Sequence, residues 1–341
     1  QSAVYTLGNE VAGNEVIAFY RNDDGSLYEA GRYGTGGTGS GGGLGNQAAL
    51  AMSSGGKFLY AVNPGSNEIS HFLIRNDGSL ELKNRIASGG VLPVSIAVHN
   101  GLVYVLNAGG TGNITGFAFN QQGQIFQLSN STRALSSPSA GAAQIAFSPD
   151  GKVLVVTEKA TNTISSYPVL SSGRTGAIRT FPSANATPFG FAFGRNGNFH
   201  VSEAAGGAAG ASTISTYHVN IIGQVSLVDG PFALNQSAAC WVALAKNNSL
   251  LFSTNTGSNT ISTLDVSFSG VLSAPASGGT ATAMSQPLDA AVDKDSDHLY
   301  VLATGNNAII SYTFDSNGKL TQIDVDDENL PDRMSGLVVR G

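Results

Sequence analysis

Apolar and polar residues alternate along short runs that recur through the whole chain, and many of these runs end in a polar turn containing glycine. The alternation predicts half-buried β-strands. Seven glycines mark the turns, each followed two positions later by an aliphatic residue: Gly25, Gly78, Gly123, Gly176, Gly223, Gly270 and Gly318. They are spaced 45 to 53 residues apart. The chain is therefore predicted to be an array of β-units that repeat about every 50 residues.

Each unit is predicted to contain four antiparallel strands. In the second unit, one strand covers residues 69–74 before the turn glycine, and another covers 58–62. A further apolar strand opens each unit, such as 94–98 in the third, and a fourth follows the glycine. Four antiparallel strands repeated in this way predict the blades of a β-propeller.

The two ends of the chain contain complementary parts of one unit. The first unit begins at its second strand, near Tyr5, and residues 336–339 are typical of a lone first strand. Pairing these parts closes the ring and protects sheet edges from aggregation. We therefore predict an all-β fold, a single seven-bladed propeller domain spanning 1–341, with a composite closing blade from 1–40 and 333–341.

Composition narrows the range of partners. Only 12% of the residues are charged, the net charge is −6, and no basic run occurs, which disfavours nucleic acid and anionic membranes. No apolar stretch approaches the ~20 residues of a membrane span. We expect a monomer without nucleic-acid or membrane partners, whose ligand is a small molecule or a glycan in the central channel.

Several features indicate a secreted glycoprotein. The chain begins at Gln1 rather than at methionine, as if a signal peptide had been removed. Five Asn-x-Ser/Thr acceptor sequences occur, at Asn113, Asn130, Asn185, Asn235 and Asn247. The single cysteine, Cys240, excludes an intramolecular disulfide, and its apolar surroundings favour a packing role over a nucleophilic one.

Blade topology indicates where a site would lie. The first strand starts where the second ends, so the loops leading into each blade crowd one face of the channel, where ligands are expected. Aligned second strands end in polar residues in five consecutive units: Asn63, Asn107, Glu158, Glu203 and Asn255. These side chains either cap strand ends or form a site at the channel mouth. His200 lies near Glu203 in sequence, but strand alternation points it away, so we interpret it as structural.

The repeated segments Phe147-Ser148-Pro149-Asp150-Gly151-Lys152 and Thr254-Asn255-Thr256-Gly257-Ser258-Asn259-Thr260-Ile261 resemble those of the seven-bladed lactonase propellers. That group includes the bacterial 6-phosphogluconolactonase type and the fungal carboxymuconate lactonizing enzymes. The resemblance covers essentially the whole chain, and it implies a propeller fold and a lactonase or lactonizing activity.

The family's catalytic pattern is only partly present. The resemblance places Glu203 where lactonizing members have a glutamate. It places Ala143 at their histidine, and Phe189 and Thr256 at two of their arginines. Trp241 and Leu288 are expected at first-strand positions equivalent to Phe189, which predicts an apolar mouth.

The first hypothesis is a lactonase-like enzyme acting on a neutral lactone or ester. Glu203 would be the general base, with Glu158 raising its pKa or acting as acid. Asn107 and Asn255 would polarise the carbonyl. Arg333 is the one cation expected to reach the channel, and acidic residues between 324 and 332 are expected on the same face, so an anionic ligand is disfavoured.

Two alternatives remain at this stage. A noncatalytic secreted propeller would bind a glycan, an apolar molecule or a protein through Phe189 and Trp241. A divalent-cation site would join the two glutamates with Asn63, Asn107 and Asn255; no other cofactor is expected. The glycine-rich stretch between residues 34 and 45 is interpreted as a flexible loop leading into the second blade.

Overall fold

The computed structural model describes residues 2–120, 122–283 and 285–341. Within these ranges the chain forms thirty strands and two single-turn 3₁₀ helices, Arg195–Gly197 and Ala205–Gly207. The strands form seven sheets arranged as a seven-bladed propeller. No helix in the described ranges has the length and apolar character needed to span a membrane.

The strands of the first four blades follow the predicted order. Blade 1 contains β1 (Ala3–Leu7), β2 (Glu15–Arg21) and β3 (Leu27–Gly34). Blade 2 contains β4 (Leu50–Met52), β5 (Phe58–Asn63), β6 (Glu68–Ile74) and β7 (Leu80–Ala87). Blade 3 contains β8 (Pro93–His99), β9 (Leu102–Asn107), β10 (Asn113–Phe119) and a divided outer strand, β11 (Ile125–Gln127) and β12 (Arg133–Ala134). Blade 4 contains β13 (Ala142–Phe147), β14 (Val153–Glu158), β15 (Thr163–Pro168) and β16 (Arg179–Pro182).

The remaining strands complete the ring. Blade 5 contains β17 (Pro188–Phe193), β18 (Asn198–Glu203), β19 (Thr213–Val219) and β20 (Val225–Ala233). Blade 6 contains β21 (Ala239–Leu244), β22 (Leu250–Asn255), β23 (Thr260–Val266) and a divided outer strand, β24 (Leu272–Ser273) and β25 (Thr280–Thr282). Blade 7 contains β26 (Pro287–Val292), β27 (His298–Ala303), β28 (Ala308–Phe314) and β29 (Leu320–Asp326), and β30 (Ser335–Arg340) follows.

The ring closes through the two ends of the chain, as the sequence predicted. Strand β30 becomes the innermost strand of blade 1 and pairs antiparallel with β1. The Thr6 hydroxyl also donates to the carbonyl of Gly336 at 2.7 Å. The closure buries the edge of β1 that would otherwise be left unpaired.

Six of the seven repeat glycines occupy left-handed turn positions, with φ between 74° and 93°. This backbone region favours glycine because it has no Cβ. The prediction was wrong in blade 4, where Gly173 (φ 79°) occupies the turn instead of Gly176. The miss arose because an extra short bridge, Val169 to Thr175, separates this turn from β16.

These turns also connect neighbouring blades. The hydroxyl of Tyr5 in blade 1 donates to the carbonyl of Gly78 in blade 2 at 2.8 Å. Tyr104 in blade 3 donates to Gly173 in blade 4 at 2.9 Å, and Ser166 in blade 4 contacts the Gly223 carbonyl in blade 5. Apolar residues fill the space between blades, including the fully buried Tyr60.

Candidate functional site

The residue that follows each second strand defines the channel mouth. In blades 3 to 7 its backbone N–H donates to the carbonyl of the residue that precedes the first strand of the same blade, at 2.9 to 3.1 Å. These residues are Ala108, Lys159, Ala204, Thr256 and Thr304. Four of them come directly after a predicted polar residue, and Thr304 comes directly after Ala303. Because side chains alternate along a strand, each points to the opposite side of the sheet from the residue before it.

The five predicted polar side chains are instead hydrogen-bonded to the third strand of their own blade. Four of them contact a serine hydroxyl at 2.7 to 2.8 Å, in the pairs Asn63–Ser70, Glu158–Ser165, Glu203–Ser215 and Asn255–Ser262. The fifth, Asn107, donates to the Asn113 side chain at 2.9 Å. All five are fully buried, and none lines the cavity described below. They lie at the ends of the second strands, where both sequence interpretations placed them, and their partners include side chains of the third strand.

The Glu203 carboxylate accepts hydrogen bonds from four hydroxyl groups. Thr213 and Ser215 donate to Oε2 at 2.6 and 2.8 Å, and Tyr217 and Ser183 donate to Oε1 at 2.6 and 2.9 Å. Ser183 belongs to the loop that leads into blade 5, whereas the other three lie in β19. The carboxylate therefore fixes that loop to the third strand.

Glu158 repeats this arrangement in blade 4. Its carboxylate accepts from the Ser136 backbone N–H at 3.1 Å, from the hydroxyls of Thr161 at 3.2 Å and Ser165 at 2.7 Å, and from the Ser136 hydroxyl. The two glutamates lie in different blades, and each has its own set of donors. The roles predicted for them as a base and its neighbour stay predictions.

A cavity of about 350 Å³ lies at the channel mouth. Phe189 and Trp241, from blades 5 and 6, form an apolar wall in which their ring centroids are 5.1 Å apart. Leu288 from blade 7 adds to this wall, and Leu44 and Met334 line the cavity as well. The structure thus brings Phe189, Trp241 and Arg333 together in one cavity.

Three polar side chains line the cavity without a hydrogen-bond partner among the described residues: Gln286, Thr304 and Arg333. They come from blade 7 and from the segment before β30. Thr256 also lines the cavity, but its hydroxyl donates to the Pro287 carbonyl at 2.8 Å. Gln286, Thr304 and Arg333 therefore remain available to a ligand as hydrogen-bond donors.

A second cation, which was not predicted from the sequence, lies beside the cavity. The Lys159 ammonium lies 4.8 Å from the Phe189 ring centroid and donates to the Gly45 carbonyl. Burial lowers the pKa of Lys159 from its usual value. The expectation that Arg333 alone reaches the channel was wrong, because Lys159 occupies the mouth position directly after Glu158.

The end of the glycine-rich stretch crosses the channel. Residues 43–47, termed the channel loop, form hydrogen bonds with blades 1, 3, 4 and 6. The Asn46 amide donates to the Val94 carbonyl, and Gln47 Nε2 donates to the Val242 carbonyl at 2.8 Å while its Oε1 accepts from the Val242 N–H at 3.2 Å. Within the glycine-rich stretch itself, the N–H groups of Gly39 and Gly41 donate to the carbonyls of Glu10 and Asn9 at 2.8 and 2.9 Å. The stretch between residues 34 and 45 is therefore held by backbone hydrogen bonds, in contrast to the flexible connection interpreted from its composition.

Gln47 supplies a contact that blade 5 cannot make for itself. In blade 4 the Gln144 amide makes the same pair of hydrogen bonds to Phe191 of the next blade, at 2.7 and 3.0 Å. The equivalent residue in blade 5 is Gly190, where an added Cβ would lie 2.0 Å from Gln47 Oε1. The absent side chain leaves room for Gln47 to reach across the channel.

Asp289 occupies the equivalent position in blade 7, directly after the cavity-lining Leu288. Its Oδ2 accepts from the Gly336 N–H of β30 at 2.8 Å. Burial raises the pKa of Asp289 to about 7, opposed by the backbone N–H groups of Gly336 and Ala48 and by the Trp241 indole. The indole N–H approaches this carboxyl without reaching hydrogen-bond geometry. This residue was not among the candidates predicted from the sequence.

Trp241 reaches the cavity from a different position than predicted. The strand pairing makes Cys240 the equivalent of Phe189 and Leu288, whereas Trp241 corresponds to Gly190 and Asp289. Each of these first strands contains a register shift, which moves the alternation of inward and outward side chains by one residue. Such bulges are not visible in an alternation of apolar and polar residues.

Cys240 and His200 agree with their structural interpretations. Cys240 is buried, and burial raises the pKa of its thiol to about 12, so the thiol is protonated and a poor nucleophile. His200 contacts the Thr216 hydroxyl at 2.8 Å, away from Glu203, and burial lowers its pKa to about 4.

The acidic residues between 324 and 332 were expected at the channel mouth, but none of them lines the cavity there. Asp324, Asp326, Asp327 and Glu328 line an outer groove between blades 7 and 1, where Asp324 Oδ2 accepts from the Leu27 N–H at 2.9 Å. The expected repulsion of anionic ligands is therefore absent from the cavity lining, which contains no acidic residue among the described ones. Likewise, no group of three or more His, Cys, Asp or Glu side chains in the described ranges is arranged to hold a metal ion.

Known proteins resemble this chain at the level of family and of structure. The family model "Lactonase, 7-bladed beta-propeller" matches residues 2–140 and 111–220. None of the curated proteins matches this chain. A candidate 6-phosphogluconolactonase from Bacteroides fragilis shares 18% identity with a TM-score of 0.78, covering 100% of this chain and 98% of that one. The periplasmic gluconolactonase of Pseudomonas aeruginosa shares 13% identity with a TM-score of 0.80, covering 100% and 99%.

Proposed function

Because this chain belongs to the lactonase family of seven-bladed β-propellers, we propose that it binds a small lactone or ester in the cavity at the channel mouth and hydrolyses it. One observation carries the proposal. An apolar wall of Phe189 and Trp241 faces three polar side chains that have no other described partner. Such a cavity, apolar with a few convergent donors, is typical of small-molecule sites.

The proposed chemistry follows from the separation of the cavity into an apolar wall and a polar side. The ring of the ligand packs on the wall, and its carbonyl oxygen accepts hydrogen bonds from the Gln286 amide and the Thr304 hydroxyl. These donors stabilise the negative charge that develops when water attacks the carbonyl carbon. The attacking water releases a proton to solvent as its oxygen bonds to the carbonyl carbon, the C–O bond of the lactone or ester then breaks, and the leaving alkoxide takes up a proton from solvent. Glu203 acts in this scheme as a positioning residue, because four hydroxyls already surround its carboxylate.

We expect Gln286→Ala and Thr304→Val each to lower kcat/KM on the order of 100-fold, the loss typical of removing one oxyanion donor. The measurement is hydrolysis of dihydrocoumarin, phthalide and 4-nitrophenyl acetate. Matched controls are Gln322→Ala and Thr321→Val, exposed residues of the outer strand β29, which should leave the rate unchanged. Equal losses in both pairs of variants would contradict the assignment.

A second candidate function is binding without turnover. It is favoured by the absence of any carboxylate or imidazole among the described residues that line the cavity. Under this function the same panel binds, as detected by calorimetry, but no member is hydrolysed above the rate in buffer. Hydrolysis that is abolished by Gln286→Ala, with binding retained, excludes this candidate.

We also propose that the protein is secreted and glycosylated, which the five acceptor sequences support. Asn130, Asn235 and Asn247 are exposed, whereas the Asn185 amide donates to the Thr213 hydroxyl at 3.1 Å. We expect N-glycans at the three exposed positions when the chain passes through a eukaryotic secretory pathway. Mass spectrometry of glycopeptides checks this, and a glycan at Asn185 or an unmodified secreted protein contradicts it.

A further inference from the structure

We propose that the cavity selects ligands with a single carboxylate attached to an apolar ring, and that Arg333 recognises this carboxylate. The inference rests on the proposed function in one respect, that the ligand occupies the cavity at the channel mouth. It adds the charge of the ligand, for which the sequence pattern had predicted a neutral molecule.

The backbone of Arg333 adopts an unfavourable conformation that its surroundings hold in place. Its φ is +66°, in the left-handed region that residues with a Cβ rarely adopt. The Asn9 side chain donates to the Arg333 carbonyl at 3.5 Å and to the Gly42 carbonyl at 2.8 Å. Asn9 thus connects the segment before β30 to the glycine-rich stretch. Strained residues held by their surroundings cluster at functional sites.

The charge of Arg333 is uncompensated within the described residues. Its guanidinium forms no ion pair or hydrogen bond there, although the residue lines the cavity. The neighbouring Asp332 accepts from the Asn307 amide at 2.5 Å and is not part of the cavity lining. Asp289 is buried, accepts from the Gly336 N–H and is not part of the cavity lining either. An anionic group of a ligand therefore finds a free cation at the rim.

A single unpaired cation balances one singly charged carboxylate, but not a doubly charged phosphate or several acids. The guanidinium presents two parallel N–H donors that match the two oxygens of a carboxylate. The Lys159 ammonium already contacts the Gly45 carbonyl and the Phe189 ring. The facing wall of Phe189, Trp241 and Leu288 offers no partner for the hydroxyls of a sugar, and burying unpaired hydroxyls is unfavourable. An aromatic or alicyclic ring suits this wall.

The test compares two ligands that differ only in charge, phthalide-5-carboxylate and phthalide-5-carboxamide. Trp241 is the only tryptophan of the chain, so quenching of its fluorescence reports binding at the wall. We expect the wild type to bind the acid on the order of 10-fold more tightly than the amide, because a charge-assisted hydrogen bond at an exposed rim gives a moderate gain. The preference should shrink as salt screens the charge.

Arg333→Gln should remove the preference by weakening acid binding while amide binding stays unchanged, and Arg333→Lys should retain part of it. The matched control is Arg179→Gln, which removes the same charge from an exposed arginine of β16 outside the cavity. A preference that persists in Arg333→Gln, or that disappears equally in Arg179→Gln, overturns the proposal.

The outcome is independent of turnover, since the readout is binding. A wild type that discriminates between the two ligands but hydrolyses neither disproves the hydrolytic function and leaves this inference intact. Equal affinity for acid and amide overturns the inference even if both compounds are hydrolysed. Binding of neither ligand contradicts both.

Discussion

Glu203→Leu is expected to lower the free energy of unfolding by about 3–5 kcal/mol, the largest loss of stability predicted for this protein. The substitution removes the acceptor of four buried or half-buried hydroxyl groups. Each hydroxyl left unpaired in a buried site costs about 1–3 kcal/mol, and the individual losses are not additive. Urea unfolding followed by circular dichroism measures the change.

Glu203→Gln separates the structural role from a catalytic one. The amide keeps an oxygen that accepts two of the hydroxyls, so we expect a smaller loss of stability. If Glu203 only positions the loop, hydrolysis should stay within about 3-fold of the wild type, whereas a general base would lose about 100- to 10,000-fold in rate. Glu158→Gln, in the same setting one blade away, is the matched control. A rate loss of that size in Glu203→Gln alone would falsify the positioning role.

Asp289→Asn is expected to change how stability depends on pH. The folded-state pKa of Asp289 is about 7, above its usual value of 3.8. A raised pKa means that the folded state binds the proton more tightly, so the contribution to stability is complete below about pH 4 and is lost as the pH rises to about 7. One pKa unit corresponds to about 1.4 kcal/mol, so the loss amounts to at most about 4 kcal/mol.

The asparagine variant remains neutral and retains an oxygen that accepts from the Gly336 N–H. Its free energy of unfolding, relative to the wild type, should therefore increase by up to about 4 kcal/mol between pH 4 and pH 8. Urea unfolding at several pH values measures this difference. Asp326 also has a raised pKa, about 6, because of desolvation and the neighbouring Asp324, so Asp326→Asn is the control and should show a smaller increase. Parallel pH profiles for wild type and Asp289→Asn would contradict the prediction.

Much of the candidate site could be predicted from the sequence, but the residues at the mouth follow the predicted strand-end residues by one position. The polar residues at the ends of the second strands were recognised, and Phe189, Trp241 and Arg333 reach the cavity. The serines two residues into the third strands, such as Ser165 and Ser215, were a usable signal that the strand-end side chains were already paired. The next residue along, Lys159 or Thr304, was then the better candidate for the mouth.

Other parts of the site depend on contacts between distant segments. Gln47 reaches Val242 because Gly190 leaves room for it, and these residues are far apart in the chain. Asp289 acquires its raised pKa from burial against the closing strand. Neither relationship produces a local pattern of composition or period, so no inspection of one segment reveals it.

The sequence by itself determined the all-β class, the seven units and the closing of the ring by the C-terminal strand. These properties follow from local periodicity, because alternation defines strands and the recurring turns count the blades. Only the tertiary structure decided which of the strand-end side chains face the channel, how the channel loop crosses it, and which cations at the mouth are already paired. Those features depend on packing between distant blades and on bulges that shift the register by one residue. Such a shift reverses the side of a strand to which every side chain points.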